Sequence, residues 1–128
     1  MKTFKKTFRI FAEASDVYAA LTNPHTIELW SGYPAHMSEE PGSEFSLWEG
    51  DICGRNIEFI KDRRIIQEWY FGDHEQKSLV KIDIKPQGVY SSVNVEHTNI
   101  PDDDFENISN GWHEYYISAI NQFFNPNL

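Results

Sequence analysis

The sequence predicts an α+β fold: a curved antiparallel sheet of about seven strands, two short helices after the first strand, and a long C-terminal helix across the sheet. Three observations carry that expectation. Apolar and polar residues alternate through the middle of the chain: Phe45 and Leu47 with Ser46 and Trp48, Ile57 and Phe59 with Glu58, and Val80, Ile82 and Ile84 with Lys81, Asp83 and Lys85. Such alternation buries one face of a strand and wets the other. The stretches are separated by "EEPGSE", "WEGD", "IKDRR" and "KPQGV", connections too short for a parallel crossover and suited to hairpins. From Phe105 to Phe124 the apolar period changes from two to about 3.6, the mark of an amphipathic helix.

In chain order, "TFKKTFRIF" puts Phe4, Phe8 and Ile10 on one side and Lys5 and Arg9 on the other, which makes it the first strand. Lys6 breaks the pattern and predicts a frayed end. Ser15 is the expected N-cap of a short helix with Val17, Ala20 and Leu21 on its buried stripe. Pro24 cannot continue that helix but suits the first turn of a second one, capped by Asn23. Strands are then expected at roughly 33–39, 44–49, 52–61, 64–71, 78–85 and 88–98.

The last helix begins at Asp102, Asp103 and Asp104, which offer cap oxygens and negative charge to its N-terminus. Phe105, Ile108, Trp112, Tyr115, Tyr116, Ala119, Ile120 and Phe123 form its apolar face, which Ile117 and Phe124 widen. Asn110, Glu114, Ser118, Asn121 and Gln122 lie opposite. Gly111 weakens the helix by roughly 1 kcal/mol against Ala, so it marks a close approach to the sheet or a break before the main helix.

The 128 residues fit one domain spanning 1–128. At this length a core is large enough that neither metal nor disulfide is needed. Asp and Glu number 20 against 11 Lys and Arg, a formal charge of −9; the resulting field repels phosphate and argues against nucleic acid as a partner. Cys53 is the single cysteine and reads as structural, as no disulfide can form within the chain. The start lacks the continuous apolar core of a signal peptide, and no stretch approaches the roughly 18–20 apolar residues that span a bilayer. A cytoplasmic protein without membrane insertion is expected.

A cylinder about 10–12 Å across cannot match a twisted sheet along its whole length. The helix aromatics therefore either plug the gap or line a cavity for a mostly apolar molecule. The inward candidates for such a cavity are Trp30, Phe45, Phe59, Gln67, Trp69, Val95, His97, Trp112 and Tyr116. Gln67 shares parity with Ile65 and Trp69, so it needs a hydrogen-bond partner from protein, water or ligand. His97 shares parity with Val93 and Val95, and His113 stands beside Trp112; if they converge they could orient a ligand. His25, His36 and His74 have no metal-ligand spacing, no cofactor motif occurs, and "PDDDFEN" reads as a solvated helix start rather than a calcium loop.

The order of strand, two helices, six strands and long helix resembles the helix-grip fold of the START-like, or SRPBCC, superfamily, to which the Bet v 1-like proteins belong. Within it, "FSLWEGDICGRNIEFIKDRRIIQEWYF" and the later "GWHEYY" resemble the family of activators of the 90-kDa heat-shock protein ATPase, specifically their C-terminal domain. The residues that carry the resemblance are Phe45 and Leu47, Gly50, Asp51, Ile52 and Gly54, then Arg64, Ile65, Gln67 and Trp69, and finally Gly111 and Trp112. The similarity runs over residues 8–124. It implies the fold strongly and activity weakly, because the superfamily hosts lipid carriers, cyclases and toxins.

The leading expectation is non-catalytic binding of a small, largely hydrophobic molecule or lipid between the last helix and the sheet, by a monomer or homodimer. The alternative is a reduced co-chaperone-like module that binds the 90-kDa chaperone and modulates its ATPase; the family's separate N-terminal domain has no counterpart before the first strand. An enzyme using His97, Glu68 or Tyr116 is the least favoured expectation.

Overall fold

Alternation along the chain sets a six-stranded, wholly antiparallel sheet in the order β1-β6-β5-β4-β3-β2. The computed structural model describes residues 1–72 and 77–127. The strands are β1 (Lys2–Ile10), β2 (Glu44–Leu47), β3 (Ile52–Ile60), β4 (Arg64–Trp69), β5 (Ser78–Gln87) and β6 (Tyr90–Ile100). One face presents Ser78, Val80, Ile82 and Ile84 of β5, Ser91, Val93, Val95 and His97 of β6, and Ile65, Gln67 and Trp69 of β4, all buried. Residues between them, such as Lys81, Asp83, Asn94 and Glu96, keep contact with solvent.

Two short helices, α1 (Ala14–Thr22) and α2 (Pro24–Ser31), lie on the buried face with the C-terminal helix. The last helix is continuous but not uniform. An α-helical turn, α3 (Phe105–Gly111), passes into a π-helical stretch (Trp112–Ile117) and then into α4 (Ser118–Phe124). In the core its Trp112, Tyr116, Ile117 and Ile120 meet the sheet residues and Val17, Leu21, Ile27 and Trp30 from the short helices.

Several expectations are corrected. Segment 33–39 is not a strand: among the described residues its backbone pairs with the sheet through one isolated bridge, His36 to Ser46. Gly32 in left-handed conformation at the end of α2 and Pro34 soon after leave it little extended backbone to pair. The sheet therefore has six strands, not seven. The residue before α1 is Glu13, without a side-chain cap, and Ser15 sits inside the first turn. Asn23 does cap α2, with its Oδ1 accepting from the Thr26 backbone N–H at 3.0 Å and Pro24 in the first turn.

Lys6 does not fray β1, which runs through it in register with Val95. At this edge strand its stem turns outward and Nζ rests 5.2 Å from the centre of the Phe8 ring. None of Asp102, Asp103 or Asp104 caps the last helix through its side chain. Asn121, expected on the wet side, ties the helix to the end of β1 instead. Its Nδ2 donates to the Arg9 carbonyl at 2.8 Å and its Oδ1 accepts from the Phe11 N–H at 2.9 Å.

Gly111 makes no close approach, because a Cβ there would meet open space. The glycine that does is Gly54, where an added Cβ would overlap the Glu68 carbonyl of the neighbouring strand. Gly54→Ala is expected to push β3 off β4 and lower stability by about 1–3 kcal/mol, as read by urea denaturation. A loss under about 0.5 kcal/mol would contradict this packing.

Candidate functional site

The π-helical stretch decides which rings face the sheet. With i→i+5 bonding each turn holds more than four residues, so the neighbours of Trp112 on the next turn are Tyr116 and Ile117, both buried. Tyr115, expected on this face, is rotated off it and is 67% exposed. Trp112 stacks on Trp69 of β4 at 4.9 Å between ring centres and 22° between planes, and Tyr116 lies 4.7 Å from Trp112. Trp30 of α2 closes on Tyr116 at 5.2 Å.

Trp48 joins them against expectation. Strand parity after Phe45 and Leu47 places it on the wet side, but Trp48 and Glu49 adopt left-handed φ of 50° and 55° in the tight turn after β2. Non-glycine residues are held there only at a cost of order 1–3 kcal/mol each, and such strain gathers at functional sites. The turn swings the Trp48 ring inward to 5.6 Å from Trp30 and 5.7 Å from Tyr116.

Beneath the rings the buried polar groups are paired with protein. Trp112 Nε1 donates to His97 Nδ1 at 3.1 Å, and His97 Nε2 lies 2.8 Å from Ser78 Oγ. Because the indole can only donate, Nδ1 is the acceptor and Nε2 carries the proton, which it gives to Ser78; the Ser78 hydroxyl donates in turn to the Trp69 carbonyl. His97 is fully buried, and desolvation lowers its pKa to about 3. In parallel, Trp69 Nε1 donates to Gln67 Oε1 at 2.9 Å and Gln67 Nε2 to Asn56 Oδ1 at 3.0 Å. Asn56 Nδ2 reaches Ser43 Oγ at 3.1 Å and the Ser38 carbonyl at 3.2 Å.

Asn56 is inward because β3 carries a bulge at Ile57, between the pairs Asn56 with Gln67 and Glu58 with Ile66. Period-two alternation through Ile57 assigns it to the other face. Phe59, beyond the bulge, stays on the inner side opposite Ile65 but is only half-buried.

Between the aromatic layer and the solvent lies a cavity of about 540 Å³. Trp48, Ile52, Trp69, Ile108, Trp112 and Tyr116 form its walls, and Tyr33, Asp51, Asn107, Gly111 and Tyr115 its mouth. A smaller hollow of about 240 Å³ lies where α2 meets α4, beside Trp30 and Phe123. Of the nine residues singled out from the sequence, Trp69, Trp112 and Tyr116 line the larger cavity and Trp30 the smaller. Phe45, Phe59, Gln67, Val95 and His97 line neither: Gln67 and His97 hold the wall indoles of Trp69 and Trp112 by hydrogen bonds, Phe45 and Val95 belong to the core, and Phe59 packs partly buried against it.

His97 and His113 do not converge, since His113 is exposed and stacks on Phe8 at 6.2 Å. Glu68 alternates with Gln67 and Trp69 and faces away from the cavity. Cys53 is half-buried in β3 opposite Ser46. No cluster of three or more metal-ligating side chains occurs among the described residues, and His74 lies outside them. No helix among the described residues is long and apolar enough to cross a membrane.

A family model described as "Activator of Hsp90 ATPase homolog 1-like protein" matches residues 12–125. The human Activator of 90 kDa heat shock protein ATPase homolog 1 is 23% identical over 124 residues, 95% of this chain and 36% of that protein. A Dictyostelium discoideum homologue is 26% identical over 126 residues, 96% of this chain and 33% of its own length. The chain thus spans about a third of the length of the curated relatives it matches. Among solved structures, an HSP90 activator from Plasmodium falciparum superposes with a TM-score of 0.86 at 24% identity, covering 95% of each chain. The solution structure of the Aha1 dimer from Colwellia psychrerythraea gives 0.85 at 14% identity over 100% of both. These similarities establish the helix-grip architecture.

Proposed function

The chain belongs to the Activator of Hsp90 ATPase homolog 1-like family, and within that family we propose that it acts as one cytosolic domain binding a small, largely apolar molecule, without covalent chemistry. The observation that carries this is the cavity of about 540 Å³ walled by Trp48, Trp69, Trp112 and Tyr116. Its volume falls within the roughly 300–1,000 Å³ of small-molecule sites, which are typically apolar with few polar groups. The strained turn that brings Trp48 to the wall supports the same conclusion, because packing alone is served by a ring on an unstrained backbone.

Titration with the neutral fluorophore N-phenylnaphthylamine tests it. Saturable enhancement with one site per chain and a micromolar Kd is expected, weakened at least about tenfold, or 1.4 kcal/mol, by Trp48→Ala. Enhancement that never saturates, or that Trp48→Ala leaves untouched, would contradict a site in this cavity.

The relatives' names support a second function, contact with the 90-kDa chaperone through the surface of the domain. The relatives that bear the name are about three times as long, so their full activity does not transfer to this chain by likeness alone. Co-purification with the chaperone that survives cavity variants would favour this function over ligand binding.

A further inference from the structure

Five Tyr and Trp side chains are buried among the described residues: Tyr18, Trp30, Trp69, Trp112 and Tyr116. Four have spent their polar atom on the protein. Tyr18 donates to Glu39, Trp30 to the Ala20 carbonyl, Trp69 to Gln67 and Trp112 to His97. The Tyr116 hydroxyl makes no hydrogen bond to any described residue, and although Tyr116 is only 3% exposed as a whole, its oxygen is not fully buried: among the described residues the fully buried side-chain oxygen without a partner is Ser109 Oγ. Its ring forms part of the cavity wall, so the hydroxyl's free direction is the cavity. Burial raises its pKa above the ordinary tyrosine value, which keeps the group a neutral O–H donor.

Open to the cavity, the hydroxyl can donate to water there until a better-placed acceptor displaces it. Here a bound molecule is placed to supply the acceptor. The rest of the site restricts what that molecule can be. Trp69 and Trp112 lie within 22° of parallel and Trp112 and Tyr116 within 32°, while Trp48 stands across them at 68° to Tyr116, so three of the four rings form a nearly parallel set and the fourth closes its side, a shape that suits a flat ring system. Among the described residues lining the cavity there is no Lys or Arg, and the one charged group at the mouth is the carboxylate of Asp51. A chain of net charge −9 adds to the repulsion of anions.

Resting on the ligand-binding function above, we propose that the site selects a planar aromatic molecule bearing a carbonyl-type acceptor, uncharged, with Tyr116 as the residue that recognises the acceptor. Fatty acids and other anionic lipids are excluded as ligands by the lack of any cation to meet the head group.

Three probes sharing one tricyclic skeleton separate these requirements: fluorene, fluorenone and a fluorene carboxylate, titrated into the full chain. Fluorenone is expected to bind about tenfold tighter than fluorene, the equivalent of one net hydrogen bond of about 1.4 kcal/mol, and the carboxylate weakest of all. Tyr116→Phe keeps the ring and removes only the donor, so it is expected to bring fluorenone down to the affinity of fluorene and to leave fluorene unchanged. Infrared difference spectra give an independent measure: the bound fluorenone carbonyl stretch moves to lower wavenumber in the wild type and returns in Tyr116→Phe. Fluorene binding without any preference for fluorenone, or a preference that survives Tyr116→Phe, would overturn the role of Tyr116 while leaving the binding site standing. Tightest binding by the carboxylate would overturn the exclusion of anions. Failure of N-phenylnaphthylamine and of both neutral probes to bind would remove the ligand-binding function itself.

Discussion

Trp112→Ala is expected to lower the free energy of unfolding by about 3–5 kcal/mol, the range for emptying a large aromatic from a core. Trp112 is 2% exposed and packs on Trp69, Tyr116 and His97 at once. Its removal also strips His97 Nδ1 of its donor, leaving a buried acceptor unsatisfied at about 1–3 kcal/mol. Trp112→Phe separates the two contributions: it retains most of the ring and loses the N–H, so only the smaller penalty is expected. Urea denaturation of both variants with unchanged slope checks this. Equal and small losses in the two would show that neither the ring nor its hydrogen bond holds the helix to the sheet.

The second large effect is acid instability centred on His97. Its folded pKa, about 3, lies below the ordinary value near 6.5 because burial penalises the imidazolium. The unfolded chain therefore takes up the proton first as pH falls, and stability declines from about pH 6.5 downward until the folded group titrates near 3. At about 1.4 kcal/mol per pH unit the loss is about 2 kcal/mol by pH 5 and about 4 kcal/mol by pH 3. Protonation also cannot be accommodated locally, since Nδ1 is the acceptor of the Trp112 indole. Discharging an acidic chain on acidification acts in the opposite direction, so the measurement is the pH dependence of unfolding in wild type minus that in His97→Gln. A difference curve that stays flat between pH 7 and 4 would contradict the buried neutral histidine.

The sheet face was legible wherever alternation was unbroken: Val80, Ile82 and Ile84, Val93, Val95 and His97, and Ile65, Gln67 and Trp69 all point inward as period two requires. The Asn23–Pro24 helix start was legible because a cap and a fixed φ act within four residues. The misses that shape the site share a local cause, a backbone step that changes the period without a residue type announcing it. The bulge at Ile57 carries Asn56 inward, and left-handed φ at Trp48 and Glu49 turns a ring from the wet side into the cavity wall. The π-helical stretch turns Tyr115 off the apolar face and leaves Ile117, expected only to widen that face, fully packed in the core. Gly50 and Gly111, both in the resembling motifs, flank two of these three irregularities, the turn and the π-helical stretch. Motif glycines beside large aromatics were the available signal, and their meaning depends on φ values that sequence alone does not supply.

The proposal that the aromatic gap between helix and sheet is a ligand-binding site and not a packing defect is tested most directly by the indole N–H resonances of the four tryptophans during titration with a neutral planar aromatic. Trp48, Trp69 and Trp112 line the cavity and are expected to shift together along one saturable curve. Trp30, bonded to the Ala20 carbonyl outside it, is expected to move less. Four indole signals unmoved by every probe, or drifting in proportion to concentration without saturation, would contradict the binding site at its foundation.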